Sequence, residues 1–288
     1  MSDWQSLDPA TLDREYNARA TVPDIEAELR AYRDLSAPMY THLDCRRGLQ
    51  YGPSADEQLD LFPVPGQPGA PLFLFIHGGY WRALGKEDSV FMAQNFTAHG
   101  IAVAALDYSL APGAHLSQMV DQCRRAVVWL HGRSADLGVD SRRMVVAGSS
   151  AGAHLAAMVL ASGWQAGLGV PADVVRAGLL VSGLYDLAPL RRTLPQSWLH
   201  LSESDVQRLS PQHHLPDPAC PLHVVVAQQD TGEFKRQSRD YARACAGIGC
   251  PTMSYEVEGR NHFDVVLDWT LPGSALTRSV VSLLSAYR

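Results

Sequence analysis

The sequence predicts an α/β fold in which a mostly parallel sheet is covered by helices on both faces. Short apolar runs of strand length recur along the chain, and segments with helical periodicity separate them. The 288 residues are 46% hydrophobic, which is enough for a substantial core. We therefore expect residues 1–288 to form one α/β domain.

The expected strands follow in chain order. Two of them, residues 42–51 and 57–64, flank the turn signal Gly52-Pro53-Ser54. The helical segments farther along include residues 116–130, 151–161 and 234–246. Ligands in such folds bind beyond the carboxyl ends of the strands, so we expect the functional residues to lie there. The later apolar runs span residues 72–76, 101–106, 144–147, 174–182, 222–227 and 253–257.

Two segments lie outside this alternation. Residues 1–40 are polar and are expected to form an N-terminal helical extension. Within it, Pro23 precedes the stretch DIEAELRAYRDL, in which Ile25, Leu29 and Tyr32 share one helical face. Residues 184–218 contain no clear strand, and we expect a small inserted cap of short helices there.

Charge and cysteine content limit the function classes. Lys and Arg number 24 against 30 Asp and Glu, a net charge of -6, and no basic run could follow a phosphate backbone. The N-terminus has no signal-peptide pattern, and no apolar segment elsewhere in the sequence is long enough to cross a bilayer. The five cysteines are odd in number and never in C-x-x-C spacing. We expect a cytoplasmic protein with a small-molecule substrate and without nucleic-acid or membrane partners, and a homodimer is left open.

The stretch VVAGSSAGAHLAA at residues 145–157 leads from an apolar strand through a turn into an alanine-rich helix. Its G-x-S-x-G core is typical of a nucleophile elbow, in which a serine sits on a strained turn at a helix N-terminus. Gly148 and Gly152 lack the side chains that would keep strand and helix apart. The pattern makes Ser150 the candidate nucleophile, and an ordinary tight turn in a glycine-rich chain is the alternative.

A serine nucleophile needs a base and an oriented acid, which in this arrangement follow the serine, each just past a later strand. Asp230 ends the run LHVVVAQQD, and His262 lies in EGRNHFDVV after the last expected strand. Asp186 also follows a strand and is a second candidate acid. Asp264 is close to His262 in sequence and is better explained as a turn or helix cap. We predict a triad of Ser150, Asp230 and His262.

Other histidines fit structural roles better. His154 lies one helical turn after Ser150 and is expected to pack away from the site. His213 and His214 fall in the expected cap, without further ligand-type residues at metal spacing. No metal site is predicted.

The earlier segment LFIHGGYWRAL, residues 74–84, ends an apolar strand in a histidine, two glycines and two aromatic residues. Acyl transfer builds negative charge on a carbonyl oxygen, and preorganised backbone N–H groups stabilise it. Gly78 and Gly79 can turn their amides toward the site because they lack a Cβ, and the Ala151 amide supplies another donor. These amides are the predicted oxyanion hole, and His77 is expected to stabilise the loop. Without the nucleophile-elbow motif, a plain βα turn would be the alternative interpretation of this segment.

Together these motifs resemble the serine-dependent kynurenine formamidases (arylformamidases) of the α/β-hydrolase superfamily, which are related to the hormone-sensitive-lipase-like esterases. The resemblance covers nearly the whole chain in order, and it implies an α/β-hydrolase fold. It rests on LDREYNARATVPD at 12–24, HGGYW at 77–81, DYSLAP at 107–112, GSSAGAHLAA at 148–157, SGLYDLAPL at 182–190, EFKRQS at 233–238 and NHFDVV at 261–266.

The resemblance implies a serine hydrolase that converts N-formyl-L-kynurenine to kynurenine and formate in tryptophan breakdown and requires no cofactor. Tyr80 and Trp81 follow the oxyanion glycines, which makes them candidate substrate-binding walls for an aromatic ring. A general carboxylesterase acting on short acyl or aryl esters is the main alternative, because the triad and oxyanion hole do not choose a substrate. A non-catalytic ligand receptor is a second alternative, although no predicted catalytic residue is missing.

Overall fold

The computed structural model describes residues 4–285. Its strands are β1 Arg46–Gln50, β2 Gln58–Phe62, β3 Ala70–Ile76, β4 Ala102–Leu106, β5 Val139–Ser149, β6 Ala177–Val181, β7 Leu222–Ala227 and β8 Thr252–Val257. Its α-helices are α1 Pro9–Glu15, α2 Ile25–Ser36, α3 Met39–His42, α4 Ala93–Ala98, α5 Leu116–Gly132, α6 Ser134–Leu137, α7 Ala151–Leu160, α8 Gln196–Leu199, α9 Glu203–Leu209, α10 Gly232–Gly247 and α11 Ala275–Ser285. Short 3₁₀ turns join several of these elements.

Within the described chain the strands form one eight-stranded sheet in the order β1-β2-β4-β3-β5-β6-β7-β8. The β1–β2 and β2–β4 pairs are antiparallel, and the remaining pairs are parallel. The predicted mostly parallel sheet is therefore confirmed. Strand β5 begins earlier than the expected residue 144, because Val139 and Asp140 already pair with β3 despite the polar residues that follow them.

Helices cover both faces of the sheet. Alternate side chains of β3 point to opposite sides, with Leu72, Leu74 and Ile76 in one buried cluster and Phe73 and Phe75 in the other. The first cluster includes residues of α5, α7 and α10, and the second includes residues of α4 and α11. Because both faces of the sheet are buried, the sequences of the central strands are continuous apolar runs.

Helices α4 and α11 lie outside the predicted set. Helix α4 is short, so it offers little periodicity to detect. Helix α11 buries Leu276, Val280, Leu283 and Leu284, which recur at helical spacing, so its pattern was visible in the sequence.

The two segments outside the alternation contain short helices. The N-terminal one holds α1 and α2, and residues 184–218 hold α8 and α9. Tyr32 of α2 donates a hydrogen bond from its hydroxyl to the Phe263 carbonyl at 2.6 Å, which joins the N-terminal segment to the chain after β8. Across residues 4–285, no helix combines the length and apolar character needed to cross a membrane.

The crossing of β5, α7 and the end of β3 leaves no room for side chains. A Cβ on Gly148 would collide with the backbone of Gly152. A Cβ on Gly152 would in turn collide with the carbonyl groups of Ile76 and His77. The two glycines of the G-x-S-x-G motif are therefore required by the close approach of strand and helix.

We expect Gly152→Ala to lower the free energy of unfolding by about 1–3 kcal/mol, because overpacking at a backbone contact forces the helix away from β3. Gly167→Ala is the matched control, since nothing lies within 4 Å of a Cβ at that position. Urea denaturation of both variants measures the difference. Equal stability of the two variants would contradict the close packing of α7 on β3.

Candidate active site

Ser150 occupies the turn between β5 and α7. Its φ and ψ are 56° and -120°, a sparsely populated conformation that costs roughly 1–3 kcal/mol. The turn is held because the Ser150 N–H donates to the Val181 carbonyl at 2.9 Å and the His154 N–H donates to the Ser150 carbonyl at 3.2 Å. The Ser150 hydroxyl does not cap α7, and the residue lines a cavity at the carboxyl ends of the strands. The hydroxyl is thus available to a ligand in that cavity.

His262 and Asp230 form a buried pair. The imidazole Nδ1 lies 2.6 Å from Asp230 Oδ1, and the two side chains are 3% and 1% exposed. The other carboxylate oxygen, Oδ2, accepts from the Ser182 hydroxyl at 2.5 Å and from the Ala227 N–H at 2.9 Å. These donors fix the orientation of the carboxylate. Since Nδ1 is engaged with Asp230, Nε2 is the nitrogen of His262 left for a reacting group.

Ser150 and His262 line the same cavity, and Asp230 lies behind His262 through their hydrogen bond. The ring of Phe234 packs edge-on against the His262 imidazole, with centroids 4.7 Å apart. This contact limits rotation of the imidazole. The three residues predicted as a triad are therefore gathered at one place, with the imidazole between the carboxylate and the cavity.

The loop after β3 runs directly over the elbow. A Cβ on Gly78 would lie 2.8 Å from the Ser149 carbonyl oxygen, so the approach requires glycine. Gly79, Tyr80 and Trp81 follow with φ values of 97°, 52° and 58°. Three consecutive residues thus adopt the left-handed backbone that side chains disfavour. The tight path holds this loop against the elbow.

The predicted oxyanion donors come from the loop after β3 and from the start of α7. Gly78 and Gly79 line the cavity with it. Ala151 is the first residue of α7, so its N–H belongs to the helix N-terminal donors that have no intrahelical partner. Such N–H groups can stabilise the negative charge that develops on a carbonyl oxygen when the Ser150 hydroxyl attacks the carbonyl carbon.

His77 supports the loop through stacking and hydrogen bonding. Its ring stacks on Tyr108 with centroids 4.4 Å apart, and its Nδ1 lies 2.9 Å from the Gly78 carbonyl oxygen. The Tyr108 hydroxyl donates to the His77 carbonyl at 3.0 Å. Burial lowers the pKa of His77, which favours a neutral ring that donates from Nδ1 to Gly78. The contacts suit a loop-stabilising residue better than a base.

Tyr80 and Trp81 point in different directions. Tyr80 lines the cavity, its hydroxyl donates to the Tyr16 carbonyl, and its own carbonyl accepts from the Trp198 indole at 3.1 Å. Trp81 is 0% exposed and packs edge-on against the rings of Tyr80 and His154. The expectation that Trp81 forms a cavity wall is therefore wrong, because the loop turns its side chain into the core. Trp81 supports Tyr80 from behind.

The N-terminal segment supplies part of the cavity wall, which sequence reasoning missed. Ile25, Leu29 and Tyr32, the face predicted for α2, line the cavity together with Tyr16 and Ala18. An apolar helical face on an otherwise polar segment was the available signal, since such a face must cover something.

Hydrogen bonds tie this segment to the chain that follows Asp230. The Tyr16 hydroxyl donates to Glu233 Oε2 and accepts from Gln237 Nε2, both at 2.8 Å. The Thr231 hydroxyl donates to the Glu15 carbonyl at 2.5 Å. The end of α1 is thereby joined to the start of α10, next to the catalytic candidates.

The competing sequence candidates have local structural partners. Asp186 accepts from the N–H two residues later at 2.9 Å, and Asp264 accepts from the N–H three residues earlier at 2.7 Å. Nε2 of His154 lies 2.7 Å from the last carbonyl of α9, and burial lowers the pKa of His154 to about 4. Nε2 of His214 lies 3.0 Å from another α9 carbonyl. Among residues 4–285 no group of three or more His, Cys, Asp or Glu residues is placed to hold a metal ion.

Ser182 is a further residue at the site that sequence reasoning missed. It follows β6 with a φ of 50° and is 0% exposed. Its N–H donates to the Val225 carbonyl at 2.7 Å, while its hydroxyl donates to Asp230 Oδ2. The available signal was a serine placed directly after an apolar run, at the same edge as the other strand-end residues. Ser182 orients Asp230 without lining the cavity.

Nucleophilic acyl transfer is the chemistry that a strained serine beside a buried His–Asp pair supports, and on this sheet it defines a serine hydrolase of the α/β-hydrolase fold. A family model described as BD-FAE matches residues 59–170. The kynurenine formamidase of Danio rerio is 31% identical over 99% of each chain. That of Salmo salar is also 31% identical, over 92% of this chain and 93% of the relative. The chain belongs to the kynurenine formamidase family.

A solved structure supports the same fold. The crystal structure of a candidate thioesterase from Silicibacter sp. tm1040 has a TM-score of 0.81 and 26% identity to this chain. The match covers 94% of this chain and 98% of the other. The predicted α/β-hydrolase fold and family resemblance are thus both confirmed.

We expect Ser182→Ala to lower kcat by about 10-fold while KM changes little, because the variant removes a hydrogen bond to a charged carboxylate. Steady-state kinetics with p-nitrophenyl acetate measure both constants without depending on the physiological substrate. Ser141→Ala is the matched control, since Ser141 is a buried serine at 4% exposure near the start of β5. Unchanged kcat in Ser182→Ala, or an equal loss in the control, would refute the positioning role.

Proposed function

We propose that this protein hydrolyses the formamide of N-formyl-L-kynurenine to kynurenine and formate, with Ser150, His262 and Asp230 as its catalytic triad. The observation that carries the proposal is the buried Asp230–His262 hydrogen bond of 2.6 Å beside a strained serine in one cavity. Membership of the kynurenine formamidase family supports the choice of a formamide over other acyl groups.

In the first half of the reaction, Nε2 of His262 takes the proton from the Ser150 hydroxyl as its oxygen attacks the formyl carbon. Asp230 holds the imidazole tautomer and stabilises the imidazolium that forms. The tetrahedral intermediate collapses when the C–N bond breaks, and His262 returns the proton to the leaving aryl amine. Kynurenine departs and a formyl ester of Ser150 remains.

The second half repeats the cycle with water. His262 takes a proton from a water molecule that attacks the formyl ester, and the Ser150 oxygen leaves with that proton. Formate is released and the free serine is restored. In both halves the amides of Gly78, Gly79 and Ala151 are the donors that stabilise the negative oxygen.

The cavity suits an aromatic substrate. Its wall includes the rings of Tyr32, Phe75, Phe91, Phe263 and Tyr80. Aromatic rings pair favourably in offset or edge-to-face arrangements, so this lining offers several contacts for a single benzene ring. Tyr80 adjoins the oxyanion glycines and is fixed by its bond to the Tyr16 carbonyl. We infer that it also narrows the space for the acyl group.

A general carboxylesterase that cleaves short acyl or aryl esters is the alternative function. The same nucleophile, base and oxyanion donors serve both reactions, because an ester and a formamide pass through similar tetrahedral intermediates. The aromatic lining favours an aryl substrate, and the relationship to kynurenine formamidases favours the formamide. Direct comparison of substrates separates the two activities.

We expect Ser150→Ala and His262→Ala each to lower kcat for N-formyl-L-kynurenine by roughly 10⁴-fold to 10⁶-fold, and Asp230→Asn by somewhat less. The losses follow because each variant removes the nucleophile, the base or its orienting acid. Absorbance of released kynurenine measures the rate, and circular dichroism verifies the fold. Retention of most activity in Ser150→Ala would end the proposed mechanism.

We also expect kcat/KM for N-formyl-L-kynurenine to exceed that for p-nitrophenyl acetate by about 10-fold or more. Differences in the pocket contacts of two substrates commonly change kcat/KM by such a factor. Rates should fall steeply from formyl to butyryl anilides because Tyr80 narrows the acyl side. Tyr80→Ala should flatten this profile, and Tyr80→Phe, which keeps the ring, should preserve it. A preference for the acetate ester with a flat chain-length profile would establish the carboxylesterase instead.

A further inference from the structure

The cavity carries formal charge at only a few positions. Among its lining residues, Asp13, Arg19 and Arg82 are the side chains other than histidine that carry a charge at neutral pH. All three come from the N-terminal segment or the loop after β3, while the rest of the wall is apolar or uncharged. Charged groups in an otherwise apolar binding site fix the orientation of a polar ligand group.

Arg82 is held in place by an aromatic ring. Its guanidinium carbon lies 4.3 Å from the centroid of the Trp198 ring. Trp198 is itself anchored, since its indole N–H donates to the Tyr80 carbonyl at 3.1 Å. Stacking uses the face of a guanidinium and leaves the N–H groups at its edge free to donate. A carboxylate, with two oxygens in one plane, can accept two hydrogen bonds from this planar fork.

The positive charge at this wall has no acidic partner in the described chain. Neither Arg19 nor Arg82 forms an ion pair with a residue in the range 4–285, and both side chains are exposed. By contrast, Arg236 is paired with Glu233 at 2.7 Å and with Asp240 at 3.2 Å. The protein as a whole carries a net charge of -6. An anionic group would therefore be repelled by the overall field and attracted at this wall.

Asp13 provides the opposite charge on the same cavity. One carboxylate oxygen, Oδ1, accepts from the Leu194 N–H at 2.6 Å. This bond joins α1 to the segment that contains Trp198 and fixes the carboxylate at the cavity wall. A carboxylate bound through one oxygen keeps further acceptor sites for an ammonium group.

We propose that Arg82 binds the carboxylate of an amino-acid group on the substrate, that Arg19 adds positive charge to the same wall, and that Asp13 binds the ammonium. The inference rests on the proposed function and adds the basis of its selectivity: the enzyme is specific for aryl formamides that carry a zwitterionic amino-acid group. The triad acts at one end of the substrate and the charged wall at the other.

The test compares three formamides whose reacting groups are alike. N-formyl-L-kynurenine carries the carboxylate and ammonium, its decarboxylated analogue keeps the ring, ketone and amine, and formanilide lacks both charges. Wild-type enzyme should prefer the first over the second by about 10-fold to 100-fold in kcat/KM, as expected when a charge-assisted hydrogen bond is lost.

Arg82→Met should reduce this preference by about 10-fold, mainly through a higher KM for N-formyl-L-kynurenine. The preference shown by Arg82→Lys should lie between those of the wild type and Arg82→Met, because lysine keeps the positive charge but lacks the planar guanidinium. Arg133→Met is the matched control, since Arg133 lies 5.7 Å over the ring of Trp129 and does not line the cavity. Asp13→Asn should reduce the preference of the enzyme for the decarboxylated amine over formanilide.

The outcomes separate this inference from the function on which it rests. The inference fails if wild-type enzyme hydrolyses all three formamides at similar kcat/KM, or if Arg82→Met lowers every rate by the same factor. Either result would show that the charged wall does not recognise the amino-acid group of the substrate. If none of the formamides is hydrolysed while p-nitrophenyl acetate is, the proposed function itself fails. Loss of preference in Arg82→Met but not in Arg133→Met supports the assignment.

Discussion

The contact between α7 and the ends of β3 and β5 determines where Ser150 and the loop after β3 lie. Gly148 meets the backbone of Gly152, and Gly152 meets the carbonyl groups that end β3, so the helix starts against two parallel strands. Gly78 then lies on the elbow at a distance that excludes a Cβ. Ser150 and Gly78, a proposed oxyanion donor, therefore belong to one closely packed backbone assembly. Such preorganisation is what charge stabilisation requires.

The same edge of the sheet concentrates backbone strain. Ser150, Ser182, Tyr80 and Trp81 all have positive φ, and they follow β5, β6 and β3. The surrounding structure over-determines these conformations: each serine N–H bonds to a neighbouring strand, and the Tyr80–Trp81 loop is fixed by Tyr16 and by packing on buried rings. Strain held in this way is a common property of functional sites. Here two of the four residues, Ser150 and Tyr80, line the cavity, while Ser182 holds the Asp230 carboxylate and Trp81 packs in the core.

Most of the fold could be predicted because a buried parallel sheet leaves a strong pattern in sequence. Apolar runs identified the strands, and the G-x-S-x-G turn with two late strand-end residues identified Ser150, Asp230 and His262 as the site, the roles of which remain predictions. Local patterns could not show the direction of a side chain in an irregular loop, which is why Trp81 was misplaced. The position of Ser182 after an apolar run did not reveal its partner, because its contact with Asp230 depends on a strand pairing that brings β6 beside β7.

The N-terminal segment supplies much of the cavity wall around Ser150 and His262. Ser150, His262 and the glycines after β3 follow strands of the sheet, whereas much of the cavity wall comes from residues before α3 and from the chain around α8. The bonds from Glu15 and Tyr16 to the start of α10, and from Asp13 to Leu194, join these outer elements to the catalytic edge. Changes in the outer wall can therefore alter selectivity while the reacting groups keep their geometry. We therefore expect substrate choice in this chain to depend on these outer segments more than on the residues at the strand ends.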